Sequence, residues 1–210
     1  GQKIYDWKIP YEWDVKEAWI KDKFGKKIID FKKNNLHLLN YSLPIKKKIE
    51  TKKLKNNIYT LKNKPNAIPY VTSYYEKNWG FCMSFKDLKQ LKDNYYFIKI
   101  DSKFKKGSMS IGEIIIPGKS SKQILISTYI CHPSMANNEL SGPCLSIYLS
   151  KWIMKKKRKY TYRFVFLPET IGAISYIKKN FKVLQKKIIC GLNVTCVGDN
   201  KNYSFLPSRK

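Results

Sequence analysis

Two short segments carry side chains whose chemistry goes beyond packing. The first is Cys131-His132-Pro133-Ser134-Met135-Ala136-Asn137-Asn138-Glu139-Leu140-Ser141-Gly142, a polar stretch with Gly and Pro between two apolar ones. His132 is one of two histidines in the chain, and a neutral imidazole is among the commonest zinc ligands. Asn138 and Glu139 follow six and seven residues later, a separation that lets a loop fold back so that both reach one ion. Glu139 is the stronger oxygen donor of the two. The second segment, Leu167-Pro168-Glu169-Thr170-Ile171-Gly172-Ala173, places a carboxylate after an apolar run in a chain with only 15 acidic residues. Beside a metal-bound water, Glu169 would serve as general base, because zinc lowers the pKa of that water to about 7. Each residue also has a plainer alternative. His132 can hydrogen-bond within its loop, and either glutamate can sit at a helix N-terminus, where the macrodipole favours a negative charge. His37, in Asn34-Asn35-Leu36-His37, has no such company and reads as structural.

The elements around these segments set where they lie. Gln123 to Ile130 is a β-branched run suited to a buried strand, and Leu145, Tyr148, Leu149 and Trp152 recur at helical spacing just behind Gly142-Pro143. Tyr162 to Leu167 reads as a strand, Thr170 to Asn180 as a helix and Ile188 to Val197 as a further strand. Alternation of strand and helix indicates an α/β sheet with helices on its faces. Ligands bind such sheets outside the carboxyl ends of the strands, which is where both segments fall. Tyr96 to Ile100 and Ser108 to Ile116, separated by a Lys-Lys-Gly turn, suit adjacent antiparallel strands. Residues 1–95 are polar, turn-rich and marked by Trp and Tyr, which suggests a smaller accessory or partly inserted α+β domain ahead of the core at 96–210. Within it, Asp14 is placed to cap a helix through about Lys21, and Ser84 another from Phe85 to Leu91.

At 210 residues, 43% hydrophobic and 14% aromatic, the chain buries a core and is not a disordered tail. The formal charge of +27 would ordinarily suggest nucleic acid. Nearly all of it is Lys, however, with Arg only at 158, 163 and 209, and it accompanies abundant Ile, Asn, Tyr and Phe. That set matches an AT-biased coding sequence better than a phosphate reader, which favours the guanidinium fork. Nucleic acid is therefore not an expected partner; no stretch approaches the roughly 18 consecutive apolar residues that span a membrane and no secretory signal opens the sequence, so no membrane partner and a cytoplasmic location are expected. The five cysteines show no C-x-x-C spacing, so reduced thiols are expected, three of them within strands or a helix as small buried groups. The chain opens at Gly1 without an initiator Met, and both ends read as cuts in a longer protein.

Several ordered motifs carry a resemblance over nearly the whole chain. They are Asp6-Trp7 with Pro10-Tyr11-Glu12-Trp13, Asn35-Leu36-His37, Ile68 to Tyr75, Trp79-Gly80-Phe81-Cys82, Cys131 to Gly142, Pro168 to Gly172, and Ser208-Arg209. Together they resemble a bacterial aminopeptidase-like family of unknown function, often associated with polysaccharide biosynthesis and similar at a distance to the co-catalytic zinc aminopeptidases. The resemblance implies a mixed sheet flanked by helices and zinc-activated attack of water on a peptide or amide bond. It implies His132 as a metal ligand, Asn138 at the position of the bridging aspartate, Glu169 as general base, and Thr170 in place of a second metal-binding glutamate. The further ligands, including a late histidine, would fall beyond Lys210. Two functions follow from it: a zinc-dependent hydrolase in the longer parent, of which this piece alone is inactive, or a peptidase fold retained as a binding or assembly module. Nucleic-acid binding, motivated by charge alone, is the third reading.

Overall fold

The computed structural model describes residues 1–132 and 134–208. Pro133 of the first segment and Arg209 of the last motif lie outside the described residues. The chain divides into two compact units, one made of Gly1–Gln2 with Pro10–Gly107, the other of Lys3–Ile9 with the residues from Ser108 onward. A hairpin of β1 (Lys3–Ile4) and β2 (Trp7–Lys8) belongs to the second unit.

The first unit is built on β3 (Glu12–Lys21), β4 (Lys27–Asp30), β5 (Ile45–Glu50), the short helix α1 (Thr51–Lys55), β6 (Ile58–Tyr59), β7 (Phe81–Cys82), helix α2 (Phe85–Leu88) and β8 (Tyr95–Lys105). Its main sheet is antiparallel in the order β4-β3-β8-β5. Ala18, Ile20, Tyr96, Ile98 and Ile100 fill the core from its inner face. The helix expected from Asp14 to Lys21 is instead strand β3. A register shift between Val15 and Glu17 accounts for the misreading. Trp13 and Val15 keep one phase and Ala18 and Ile20 the other, so a strand with an irregular step shows a helix-like gap of three residues. Ser84 does cap α2, accepting from the Asp87 N–H at 3.0 Å, although the helix ends at Leu88.

The boundary between the units also falls later than residue 95. β8 pairs with β3 and β5, so it is a central strand of the first sheet. The strand that follows, β9 (Gly112–Ile116), pairs antiparallel with β11 (Tyr160–Leu167) in the second unit. The two runs expected to be neighbours are therefore in different sheets, and Lys-Lys-Gly is a crossing rather than a hairpin turn.

The second unit continues with β10 (Ser120–Tyr129), α3 (Ala136–Met154), β11 (Tyr160–Leu167), α4 (Ile171–Lys187) and β12 (Ile188–Asn193). Its sheet runs β12-β10-β11-β9, with β10, β11 and β12 parallel. This is the α/β arrangement expected from alternating strand and helix patterns. Successive residues of β11 face opposite ways, so Phe164 packs with Ile116, Ile126 and Ile153 of α3, while Val165 packs with Tyr176 and Leu184 of α4. Buried Arg163 ties the layers together. It donates to Gln123 Oε1 at 2.8 Å and to the Tyr176 hydroxyl at 2.9 Å, and it pairs with Glu113.

Helix α3 departs most from the sequence reading. It begins at Ala136, so Gly142 and Pro143 lie inside it rather than before it. Gly142 is a contact point, where an added Cβ would overlap the Val194 carbonyl and the Thr128 hydroxyl. The face turned to the sheet carries Glu139, Gly142, Ser146, Ser150 and Ile153. Leu145, Tyr148 and Trp152 of the expected core face are exposed, and Leu149 is half-buried. Helix α4 runs on past Asn180 to Lys187, and β12 stops at Asn193. Of the cysteines, Cys82 is buried and Cys131 half-buried, whereas Cys144, Cys190 and Cys196 are exposed, so the small buried role expected of the three in the predicted helix and strand fails for all of them. All five are free thiols. No helix among the described residues is long and apolar enough to cross a membrane.

Candidate active site

The parallel strands deliver three loops to one end of the second unit's sheet. Their first positions are fixed by pairing that continues past the strands, with the Ile130 N–H donating to the Leu167 carbonyl at 3.0 Å and the Val194 N–H to the Ser127 carbonyl at 2.8 Å. The backbone then turns sharply. Ser134, Thr170 and Cys196, one in each loop, have φ of 62°, 55° and 52°. Such conformations cost a non-glycine residue on the order of 1 kcal/mol each and persist where surrounding contacts over-determine them. The third loop is held onto α3, with the Val197 N–H donating to Ser141 Oγ at 3.0 Å and the Gly198 N–H to Asn137 Oδ1 at 2.7 Å.

Glu139 is the best-fixed group in this cluster. It lies in the first turn of α3 and is buried. One carboxylate oxygen accepts from the Cys131 N–H and the other meets His132 Nδ1 at 2.7 Å. A carboxylate can only accept, so Nδ1 carries the proton of this contact and Nε2 is the nitrogen turned outward. Nε2 faces Glu169 Oε2 at 3.6 Å, beyond hydrogen-bond length, and the Glu169 carboxylate is half-exposed. The Glu169 N–H in turn donates to Cys131 Sγ at 3.2 Å. Burial pushes the Cys131 thiol up to about 11, with the Glu139 and Glu169 carboxylates adding to the rise. Cys131 is thus a neutral thiol near pH 7 and not an activated nucleophile.

Asn138 belongs to an adjoining network that the sequence did not reveal. Its Nδ2 donates to the Tyr129 hydroxyl at 3.0 Å, and that hydroxyl also meets Thr195 Oγ1. Burial raises the Tyr129 pKa above its ordinary value, so the hydroxyl stays neutral. The Tyr129 and His132 rings meet edge to face at 6.5 Å, joining the two networks. Among the described residues Asn138 Oδ1 is buried without a hydrogen-bond partner, a feature that calls for an explanation such as strain, a functional role, or a water or ion. Tyr129, Thr195 and Cys196 had no sequence signal beyond lying at strand ends.

The structure therefore brings together His132, Glu139 and Glu169, with Asn138 next to them through Tyr129. His37 is elsewhere, in the first unit, its Nδ1 2.9 Å from the Cys82 carbonyl. Among the described residues, one group can offer three metal-binding atoms within 4.8 Å, namely Cys131, His132 and Glu139. Within this group both Glu139 oxygens accept hydrogen bonds, from the Cys131 N–H and from His132 Nδ1. Asn138 Oδ1 lies close by, joined to this group through Tyr129.

Residues 1–210 match a family described as a domain of unknown function (DUF4910). The chain belongs to that family. A Clostridium acetobutylicum protein, provisionally named as a polysaccharide biosynthesis protein with an aminopeptidase-like domain, is 45% identical over 205 residues, covering 97% of this chain and 47% of its own. A solved structure from the same organism, provisionally named a peptidase, superposes with TM-score 0.90 at 45% identity over 95% of this chain and 47% of that one. A peptidase M28 precursor from Shewanella amazonensis shares the fold, with TM-score 0.54 at 13% identity over 87% of this chain and 58% of that one. The family, the α/β class and the peptidase-like fold are thus established for this chain, which spans about half the length of its Clostridium relatives.

Proposed function

We propose that this chain supplies part of the active centre of a metal-dependent, aminopeptidase-like hydrolase acting on a peptide or amide bond. The observation that carries the reading is the clamped imidazole. Buried Glu139 holds Nδ1, so Nε2 points toward Glu169 at the carboxyl ends of parallel strands. A carboxylate on the far nitrogen fixes the tautomer and raises the basicity of a metal-binding histidine. In this reading Glu139 orients His132 rather than binding the ion. This reading assigns His132 and Asn138 to the zinc ion, and its remaining ligands to the part of the relatives' length that this chain does not span. Bound zinc would furnish an acidified water. Glu169, half-exposed and facing Nε2, is the group placed to take a proton as general base. A substrate amide in a surface-glycan precursor agrees with the name carried by the Clostridium relative.

The test uses the full-length protein. Zinc content after purification, and hydrolysis of N-terminal aminoacyl amides, are measured for the wild type, His132→Ala and Glu169→Gln. His132→Ala should lose the metal, and Glu169→Gln should keep it while losing at least a hundredfold in kcat. Metal content and hydrolysis that His132→Ala leaves unchanged would end the proposal. A second reading, a peptidase fold kept as a binding or assembly module, is favoured by Asn138 and Thr170 at positions where the resemblance implies metal-binding carboxylates. A neutral amide compensates an ion's charge poorly. Zinc retained by the full-length protein without turnover of any aminoacyl amide would support this second reading over the first.

A further inference from the structure

Three of the motifs, Pro10 to Trp13, Ile68 to Tyr75 and Trp79 to Cys82, have no part in the centre around His132. The structure gathers them at one turn of the first unit. Trp13 Nε1 donates to the Ser42 carbonyl at 3.0 Å, and Ser102 Oγ donates to the same carbonyl at 2.8 Å. Ser42 Oγ in turn donates to the Leu39 carbonyl at 2.7 Å and accepts from the Gly80 N–H at 3.2 Å. Asn40 Nδ2 donates to the Tyr70 hydroxyl at 2.7 Å, and the Asn40 carbonyl accepts from the Ser73 N–H at 3.0 Å. These bonds hold Tyr41 between them at a φ of 65°. That conformation is costly for a bulky residue and recurs where a ligand is clamped.

The turn sets the Tyr41 ring in a row of others. Tyr41 stacks on Trp13 with centroids 5.6 Å apart, meets Tyr74 edge to face at 4.7 Å and lies 6.1 Å from Phe104, while Tyr74 lies 6.4 Å from Tyr75. Trp13 packs against the core behind the row, whereas Tyr41 and Tyr74 are half-buried and Tyr75 and Phe104 are 58% and 39% exposed. Polar groups collect here as well. Burial pushes the Tyr41 hydroxyl up to about 12, with Tyr74, Tyr75 and Glu12 adding to the rise, so it keeps its proton near pH 7. The exposed Glu12 carboxylate is held by Lys105 at 3.2 Å. Ring faces bordered by hydroxyls and a carboxylate complement a sugar, whose C–H face is apolar and whose hydroxyls both donate and accept. We infer that the row Phe104, Tyr41, Tyr74 and Tyr75, with Glu12 at its rim, is a binding site for a neutral oligosaccharide. Successive sugar rings lie on successive aromatic rings, and Glu12 accepts from a pair of adjacent sugar hydroxyls. A nucleotide would use the ring faces, but its phosphate would meet the Glu12 carboxylate. All of these groups come from the first unit, and the inference does not depend on the metal.

The full-length protein is to be titrated with cellotetraose, maltotetraose and the N-acetylglucosamine tetramer, followed by calorimetry and by saturation-transfer NMR on the sugar. At least one of them should bind with a Kd of about 1 mM or tighter. Tyr75→Ala removes an exposed ring and should weaken that binding about tenfold. Glu12→Gln keeps the rings, removes the charged acceptor and should weaken it about fivefold. Both variants should melt within about 4 °C of the wild type. Failure of all three sugars to bind overturns the proposal, as does binding indifferent to both variants. A fall of more than about 4 °C for Tyr75→Ala overturns it too, because the ring would then be packed against other parts of the full-length protein. Tighter binding of oligothymidylate or of octaproline than of any sugar also overturns it, by making the row a nucleic-acid or peptide surface.

Discussion

Glu139 and His132 should behave as one energetic unit even without metal, and a double-mutant cycle measures this. The buried carboxylate accepts from His132 Nδ1 at 2.7 Å and from the Cys131 N–H. Hydrogen bonds to a charged partner are worth about 1.5–3 kcal/mol each. Glu139→Gln replaces one accepting oxygen by an NH₂ group that faces a donor, so it should cost about 2–3 kcal/mol. His132→Ala leaves one carboxylate oxygen buried without its partner and should cost a similar amount. In the double variant the Gln can turn its carbonyl to the Cys131 N–H with nothing opposing its amide. Its loss should therefore fall short of the sum by about 2 kcal/mol, the size of coupling seen between residues in direct contact. Urea denaturation of metal-free protein, followed by circular dichroism, reads all four corners. Losses that add within about 0.5 kcal/mol would refute the clamp and leave Glu139 as a helix N-terminal carboxylate.

Other changes test neighbouring parts of the argument. Gly142→Ala drives a methyl into the Val194 carbonyl and the Thr128 hydroxyl and should destabilise by about 2 kcal/mol or more, seen as a lower melting temperature. Asn138→Asp places a carboxylate where the orphaned Oδ1 now lies and should tighten zinc binding at least tenfold by equilibrium dialysis; no gain would remove Asn138 from the ion's surroundings. The thiol of Cys82 is pushed up to about 12 by burial. Because the folded value lies above the unfolded one, this contribution to stability is complete below about pH 9 and is lost as pH rises toward 12. Cys82→Ala should therefore flatten the fall in stability across that window, measured by urea denaturation at a series of pH values.

The second unit was largely legible because parallel strands buried on both faces read as near-continuous apolar runs, rich in β-branched residues in β10 and in aromatics in β11. The strand-end position of His132 and Glu169 followed directly. Strand β3 was not legible, since its register step disguised a period of two. The facing of α3 was misread for a different reason. Its inward positions are small or polar because the helix lies close to the sheet at Gly142, while its large apolar residues face outward. Periodicity reports that a helix has an apolar stripe and is silent about which layer covers it.

Sequence by itself determined the family, the order of strands and helices in the second unit, and the two segments that carry His132, Glu139 and Glu169. It did so because local pattern and motif are encoded within short windows. Tertiary structure decided what those residues do to one another. That Glu139 grips Nδ1, that Nε2 faces Glu169, and that Asn138 hangs on Tyr129 with one buried oxygen unmet all depend on side chains from three strand ends. The contact with Glu169 spans a separation that no local window contains, and even the local pairs have a hydrogen-bond direction that, unlike hydrophobic period, exists only once the partners have been brought together.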